Sequence, residues 1–337
     1  MKTSATANRR QFLHASLGLG AALALSADAV PASLADLHWA ERTWLGLGTT
    51  LHLRAGHRDP AQLDEALDAA VTHVRQIEAQ MSLFQPGSAL NQLNRDGQLR
   101  QPSADLLAVL RLAQSVAQRS QGQFDVTVQP LWRAFAQAQN ESRLPSAAEV
   151  AQARQAVGWR GLEVDAHTLR LARPGMGVTL NGIAQGYAAD AVKAVLQAHG
   201  VAHALIDTGE WAALGQPAAD RPWQLGVEHP RAPGQFITRL ALAGRSLATS
   251  ADNQCTFSPD CRHHHIFDPR TGYSPTELAS VTVAAPSCAV ADALTKVMFV
   301  AGATQALRLA QVWQVDVLLV DKQGRWQTTP GLRSLMN

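Results

Sequence analysis

Cysteine is scarce in this chain of 337 residues, which contains only Cys255, Cys261 and Cys288. Three cysteines are too few for a disulfide-held scaffold, so a hydrophobic core has to stabilise the fold. Cys255 and Cys261 flank a polar loop and can pair in an oxidising compartment. Their spacing alone leaves both the bonded and the free state open.

A surplus of charge is also missing once the first residues are set aside. The chain has 29 basic and 27 acidic residues, a formal net charge of +2. Residues 1–29 contain Lys2, Arg9, Arg10 and Asp28, which account for that charge. The rest of the chain is formally neutral and has no basic excess for neutralising a phosphate backbone. We therefore expect no nucleic-acid partner.

Long apolar runs are absent after residue 29, so the sequence predicts no membrane-spanning helix there. Residues 1–29 themselves have the pattern of an export signal. Arg9 and Arg10 precede a short apolar stretch, and small residues follow at Ala27–Ala29. The segment Asn8–Leu13 is typical of a twin-arginine signal. An uncleaved amphipathic helix is the alternative. The signal predicts export to the periplasm.

The common glycine-rich nucleotide loops and the serine-hydrolase elbow are missing too. Apolar periodicity predicts helices and strands without strict β-α-β alternation. This favours an α+β fold with mixed, largely antiparallel sheets flanked by helices. The predicted helices are 60–81, 103–118, one from Pro130 onward, 181–199, 290–301 and 305–311. The predicted strands are 44–54, 162–164, 168–171, 202–206, 224–227, 238–242, 280–284 and 315–320, with a linker at 140–150.

Five short clusters of polar residues and glycine stand at predicted element junctions. Glycine at a junction lets backbone amides approach a ligand, and amides at a helix start suit phosphate. Taken singly, each cluster is better explained as ordinary turn chemistry. The clusters are Met81–Phe84, Gly122–Thr127, Leu180–Asp190, Asp207–Glu210 and His265–Gly272.

In this order, the clusters resemble the motifs of the ApbE family of FAD:protein FMN transferases. The resemblance runs from about Gly48 to Gly302 and includes Thr249–Ser250 and Ala291–Leu294. It implies an ApbE-like flavin transferase domain over residues 30–337, after the export signal. It also implies an enzyme that moves FMN from FAD to a threonine hydroxyl of an acceptor protein, through a phosphoester bond. A non-catalytic periplasmic flavin carrier of the same fold is the alternative.

The resemblance assigns roles toward FAD, the donor substrate, to particular residues. Those expected to bind it are Met81, Phe124, Asp125, Val126, Asn181, Gln185 and His265. Met81 is expected to contact the flavin and His265 to lie beside the diphosphate. Asp268 is a candidate to orient His265 or to take a proton. A core position for Phe124 and a turn cap for Asp125 are the alternatives.

The resemblance implies Mg²⁺ as well, but this chain departs from the usual ligands. The family has an aspartate followed four residues later by threonine, whereas here Asp292 is followed by Lys296, with Thr295 one place early. The expected site comprises Asp292 and backbone carbonyls near Gly182 and Thr295, and the lysine weakens it. An ordinary ion pair is one alternative for Asp292 and Lys296. The other is a catalytic pair in which the Lys296 ammonium supplies part of the positive charge. Gln185 also replaces a family lysine.

The expected acceptor is a membrane-bound flavoprotein that faces the periplasm. Leu180–Tyr187 and Asp207–Glu210 resemble the subgroup linked to nitrous oxide respiration, whose acceptor belongs to the nitrous oxide reductase system.

A zinc or copper site is a separate alternative, suggested by the run His263–His265 near two cysteines. Consecutive side chains point in different directions, so we expect a role for His265 alone.

Overall fold

The computed structural model describes residues 34–242 and 244–336. The predicted export signal, residues 1–29, lies outside the described residues. The helices are α1 (Pro60–Met81), α2 (Ala89–Asp96), α3 (Ala104–Arg119), α4 (Gln129–Asn140), α5 (Ala147–Gln155), α6 (Ala184–Ala198), α7 (Cys288–Ala301), α8 (Ala303–Trp313) and α9 (Pro330–Arg333). None of these described helices has the length and apolar character needed to cross a membrane.

The strands form one large sheet and two small ones. They are β1 (His38–Gly46), β2 (Thr49–His57), β3 (Gln98–Arg100), β4 (Leu162–Val164), β5 (Thr168–Leu171), β6 (His203–Asp207), β7 (Trp211–Leu214), β8 (Trp223–Glu228), β9 (Phe236–Leu242), β10 (Ser246–Ala251), β11 (Leu278–Ala285), β12 (Asp316–Asp321) and β13 (Trp326–Thr328). The large sheet has the order β1-β2-β6-β7-β10-β11-β12-β13, and every pair is antiparallel. The small sheets are β3-β5-β4 and the hairpin β8-β9. The predicted α+β fold with largely antiparallel sheets is confirmed.

The two faces of the large sheet have different partners because side chains alternate along a strand. On β11, Val281 and Val283 belong to a core shared with α7. Ala284 belongs to a second core that includes residues of the β8-β9 hairpin. Ser280 and Thr282 share the face of Ala284, since they are four and two residues from it. The sheet is therefore covered by helices on one face and by the hairpin on part of the other.

The large sheet opens between β7 and β10. Strand β10 pairs with β11 from Ser246 to Ala251, but its only paired residue on the β7 side is Leu247, opposite Trp211. Beyond that pair, the Thr249 amide donates to the carboxylate of Glu210 at 2.9 Å instead of to a strand carbonyl. A buried acidic side chain thus replaces a strand neighbour at this point of the sheet.

Two predictions of local structure are wrong. Residues 44–54 form a hairpin, not one strand, because the chain reverses at Leu47 and Gly48, whose φ values are 50° and 80°. Leucine is uncommon in that conformation, so the sequence did not indicate a hairpin turn at this position. Residues 140–150 are not only a linker, since α5 begins at Ala147 with a capping box made by Ser146 and Glu149.

Candidate active site

A cavity of about 380 Å³, which we name the main cavity, lies where the turn after α1, the first turns of α4, the segment before α6 and helix α7 meet. Its walls combine aromatic and apolar side chains with four amide side chains and three basic side chains. These lining residues include Leu83, Phe84, Phe124, Asp125, Val126, Trp132, Arg133, Asn181, Gly182, His265 and Lys296. Such a combination suits a ligand that has both an aromatic ring and anionic groups.

Phe124, Asp125 and Val126 form one wall of the main cavity. The Asp125 carboxylate accepts hydrogen bonds from the amide and hydroxyl of Thr127, at 2.7 and 2.6 Å, and from the Trp159 amide at 2.9 Å. Burial raises the pKa of Asp125, while these bonds lower it. Asp125 therefore fixes the backbone as a turn cap, and the cavity receives the apolar side chains of Phe124 and Val126.

The structure does not place Met81 in the main cavity. Its side chain is 1% exposed and belongs to the hydrophobic core. Leu83 and Phe84 line the cavity instead, and Phe84 is 70% exposed. The Asn91 amide holds this turn by donating to the carbonyls of Leu83 and Gln85, at 3.1 and 2.8 Å. The cluster Met81–Phe84 therefore indicates the correct turn, but the residue of this cluster expected to contact the flavin, Met81, is in the core, and Phe84 lines the cavity.

Trp132 and Arg133 of α4 also line the main cavity, and the sequence analysis did not identify them. The apolar pattern of α4 predicts that both residues face solvent, so the sequence does not indicate that they line a cavity. Burial lowers the pKa of Arg133, and no carboxylate in the described part of the chain counters this effect. Because guanidinium stays protonated at neutral pH, Arg133 offers a positive charge to an anionic ligand.

Asp292 and Lys296 form an ion pair one turn apart on α7. Their side chains are 1% and 17% exposed. One carboxylate oxygen of Asp292 accepts from the Lys296 ammonium, and the other accepts from the Gly186 amide at 3.2 Å. The Lys296 stem passes close to Gly182, where an added Cβ would be 3.1 Å from Cε. Lys296 thus brings a positive charge to the cavity wall.

The Asp292 carboxylate, which is predicted to bind Mg²⁺, has a donor from the chain on each of its oxygens. One of these donors is an ammonium. The Thr295 hydroxyl donates to the Asp292 carbonyl at 2.6 Å and bonds with the Ser250 hydroxyl at 2.7 Å. Mg²⁺ needs several free oxygens in octahedral geometry. The carboxylate of the metal site expected at Gly182, Asp292 and Thr295 is therefore already neutralised by the chain's own lysine, and the site itself stays a prediction.

His265 lines the main cavity and is held by the Cys255 carbonyl. That carbonyl accepts from the His265 amide at 3.0 Å and lies 3.2 Å from Nδ1. A carbonyl oxygen can only accept, so we assign the ring proton to Nδ1 and a free lone pair to Nε2. Burial, assisted by the charge of Lys296, lowers the pKa of His265 to about 4. Nε2 can therefore accept a proton at neutral pH.

The residues around His265 lie in other surroundings. His264 is buried and bonds a backbone carbonyl, while His263 packs against Phe135. The three histidines thus point in three directions, and Cys255 and Cys261 are free thiols. Asp268 does not line the main cavity; its carboxylate accepts from the amide and guanidinium of Arg270 in the following turn.

Asn181 lines the main cavity, whereas Gln185 lies behind it. The Gln185 amide donates to the Leu47 carbonyl at 3.3 Å. It also lies against Gly209, which has a φ of 93° and where an added Cβ would be 2.4 Å from Nε2. Gln185 therefore holds the β1-β2 turn and the Gly209 turn together.

Glu210 is a buried acid that the sequence analysis placed in a cluster without a role. Burial raises the pKa of Glu210 well above its usual value; the charge of Asp292 adds to this effect and that of Lys296 opposes it. The three ionisable groups are thus close enough to influence one another. The sequence signal for Glu210 was its position directly after the turn Asp207-Thr208-Gly209.

Comparison with known proteins gives consistent matches. FAD:protein FMN transferases of Haemophilus influenzae and Treponema pallidum are 29% and 30% identical over 293 and 314 residues. These alignments cover 81% and 86% of this chain, and 84% and 87% of the two relatives. The apo form of the Pseudomonas stutzeri flavinyl transferase ApbE has a TM-score of 0.78 at 26% identity, covering 89% of this chain and 97% of that one.

The ApbE protein of Thermotoga maritima shares the fold, with a TM-score of 0.81 at 24% identity over 89% of this chain and all of that one. The ApbE family matches residues 47–319, from the β1-β2 turn into β12. This range includes the main cavity and all five sequence clusters. The predicted resemblance is confirmed, and the chain belongs to the ApbE family.

Proposed function

We propose that the chain is an FAD:protein FMN transferase, which moves FMN from FAD to a threonine hydroxyl of an acceptor flavoprotein. The observation that carries this proposal is the main cavity, which joins aromatic walls to Lys296 and His265. Small-molecule sites occupy roughly 300–1,000 Å³, so this cavity has room for one ring system of FAD. The diphosphate is then placed beside Lys296 and His265.

The reaction exchanges one phosphorus–oxygen bond for another. The threonine oxygen bonds to the FMN phosphorus, and the bond from that phosphorus to the AMP half breaks. AMP leaves with the electron pair, and His265 Nε2 accepts the threonine proton. Lys296 and Arg133 stabilise the negative charge on the phosphate oxygens. These roles agree with a phosphoryl transfer that depends mainly on positioning and electrostatics.

His265 becomes a stronger base when FAD is bound. The diphosphate is anionic and favours the protonated imidazole, so it raises the pKa of His265 above the value of the free protein. Because only the neutral imidazole accepts the threonine proton, we expect kcat/KM to stay level from pH 7 down to about pH 5. Below about pH 4 it should fall tenfold per pH unit, as His265 of the free enzyme becomes protonated. Initial rates at low FAD concentration measure this profile, and a limb near pH 6.5 would contradict it.

Lys296 supplies the positive charge that a bound Mg²⁺ would otherwise bring. This proposal is supported by the ion pair with Asp292 and by the N–H partners on both Asp292 oxygens. An ammonium offers hydrogen bonds and one charge, and it needs no coordination shell. Transfer is therefore independent of a divalent cation.

The acceptor is a membrane-bound flavoprotein on the periplasmic side, of the nitrous oxide reductase system. Support for this acceptor comes from the sequence alone. Residues 1–29 have the twin-arginine pattern, and the residues at Leu180–Tyr187 and Asp207–Glu210 resemble those of the nitrous oxide subgroup. The enzyme is thus exported to the periplasm, where the acceptor presents its threonine.

A transfer assay tests the proposed function. The purified protein is mixed with FAD, EDTA and the soluble domain of such an acceptor, and covalent flavin is read by in-gel fluorescence and mass. We expect a mass increase equal to one esterified FMN. If FAD binds but neither this acceptor nor a second one is labelled, the non-catalytic carrier replaces the transferase as the function.

A further inference from the structure

We propose that Asp252 is a positioning residue for the transfer reaction and acts on His265 through the loop of residues 252–265. Asp252 directly follows β10, and its side chain is buried. It does not line the main cavity, so its effect on the reaction passes through the loop. This inference rests on the proposed function, because it takes His265 as the base that accepts the threonine proton.

The Asp252 carboxylate is held by two cations from other elements. The Arg231 guanidinium, in the β8-β9 turn, donates to both of its oxygens at 2.6 and 2.5 Å, and the Lys322 ammonium, after β12, donates to one of them at 2.6 Å. Burial raises the pKa of Asp252, but the two cations more than offset this effect and lower the pKa below its usual value. A buried carboxylate that leaves its cations becomes an uncompensated charge, which is costly. The first residue of the loop is therefore fixed in place.

The two arms of the loop are joined to each other as well. The Lys322 ammonium also donates to the Cys261 carbonyl at 3.1 Å, so one cation holds the first residue of the loop and its returning arm. The His265 amide donates to the Cys255 carbonyl at 3.0 Å across the two arms. Asp252 and Lys322 thus hold the frame in which Cys255 meets His265.

The stretch between Asp252 and this meeting point is exposed. Residues 253–255 are open to solvent, so packing contributes little to their position. Their side-chain anchor is the Asn253 amide, which donates to the Pro230 carbonyl at 2.9 Å, again in the β8-β9 turn. The place of the Cys255 carbonyl therefore depends on how firmly Asp252 is held.

The Cys255 carbonyl decides which nitrogen of His265 carries the proton. It lies 3.2 Å from Nδ1, and a carbonyl that moves away no longer selects the form protonated there. With the proton on Nε2 instead, the imidazole cannot accept a proton from the cavity. Burial is the main cause of the low pKa of His265, while the charge of Lys296 adds to it and that of Asp252 opposes it. The ring is thus neutral at pH 7 with or without the Asp252 charge, and only its tautomer changes.

Asp252→Asn tests the inference, because it keeps the shape of the side chain and removes its charge. We expect kcat for transfer, at saturating FAD and acceptor, to fall by about tenfold or more. A histidine whose tautomer is fixed by direct contact with an aspartate loses up to about 10,000-fold without it, and an effect through the backbone is smaller. The FAD dissociation constant should stay unchanged.

Nuclear magnetic resonance of the imidazole nitrogens gives a signature that a loss of stability alone does not produce. The protein is prepared with isotopically labelled histidine, and the His265 signals are identified by their absence in His265→Ala. We expect one tautomer, protonated on Nδ1, in the wild-type protein and a mixture of two in Asp252→Asn.

Asp316→Asn is the matched control. Asp316 is also a partly buried aspartate of the large sheet, and it forms an ion pair with Arg245, but it begins β12 and is not part of the loop. Both variants should lose thermal stability. Only Asp252→Asn should lose kcat and change the tautomer of His265.

The outcomes separate this inference from the proposed function. An unchanged kcat in a folded Asp252→Asn protein, or a single His265 tautomer in it, overturns the inference while wild-type transfer persists. If this variant does not fold, Lys322→Met takes its place, because it removes the cation shared by Asp252 and the Cys261 carbonyl, and the same results decide. A weaker FAD affinity in the variant assigns Asp252 to substrate binding and also overturns the inference. Absence of transfer in the wild-type protein, with FAD bound, removes the proposed function and this inference together.

Discussion

His265→Ala lowers kcat for FMN transfer by about 100- to 10,000-fold, the range of a lost general base. The reason is that Nε2 is the free, neutral nitrogen in the main cavity, with Nδ1 committed to the Cys255 carbonyl. FAD affinity should change little, because the substitution removes a proton acceptor and leaves Lys296 and Arg133 in place. Stopped time courses at saturating FAD and acceptor measure kcat, and flavin fluorescence measures affinity.

The matched control is His167→Ala, which removes an exposed histidine in the β4-β5 hairpin. It should transfer FMN at the wild-type rate. A kcat for His265→Ala within threefold of wild type would remove His265 from the proton transfer. The pH profile provides an independent check, since its acidic limb should disappear in the same variant.

Lys296→Thr converts an enzyme that ignores EDTA into one that requires Mg²⁺. Without metal, we expect transfer to fall by about 100-fold or more, because a charge that stabilises the transition state is lost. The threonine hydroxyl and the released Asp292 oxygen then become available as ligands, so millimolar Mg²⁺ should restore much of the rate. Titration calorimetry provides a readout besides activity: Mg²⁺ should bind to the variant and not to the wild-type protein.

Lys193→Thr serves as the charge-matched control, since Lys193 lies on α6 and does not line the main cavity. It should remain active in EDTA. Loss of wild-type activity in EDTA, or Mg²⁺ binding of equal strength by wild type and variant, would show that the lysine does not replace the metal.

The elements with strong local signals were predictable from the sequence. Helix α1 matches its predicted range of 60–81, because Asp59 caps it, Pro60 occupies its first turn and its apolar residues recur at helical spacing. The position of Lys296 beside Asp292 was also predictable, since residues four apart share a helix face. Sequence reasoning could not decide between an ion pair and a catalytic role; the structure shows the ion pair, and the catalytic role stays a proposal.

The remaining site residues depend on tertiary packing, which leaves no local pattern. Arg133 looks like any basic residue on an exposed helix turn. Its place in the main cavity depends on elements distant in the chain that form the other walls. Met81 shows the converse case, because a motif residue can serve the core while its neighbour Phe84 lines the cavity.

The opening of the sheet gives one amide an unusual exchange behaviour. Amides in a central strand normally exchange hydrogen with water only when the ladder breaks. The Thr249 amide is bonded to the Glu210 side chain, so rotation of that side chain exposes it while β10 stays paired with β11. Its exchange rate therefore reports on the state of a single carboxyl group, that of Glu210.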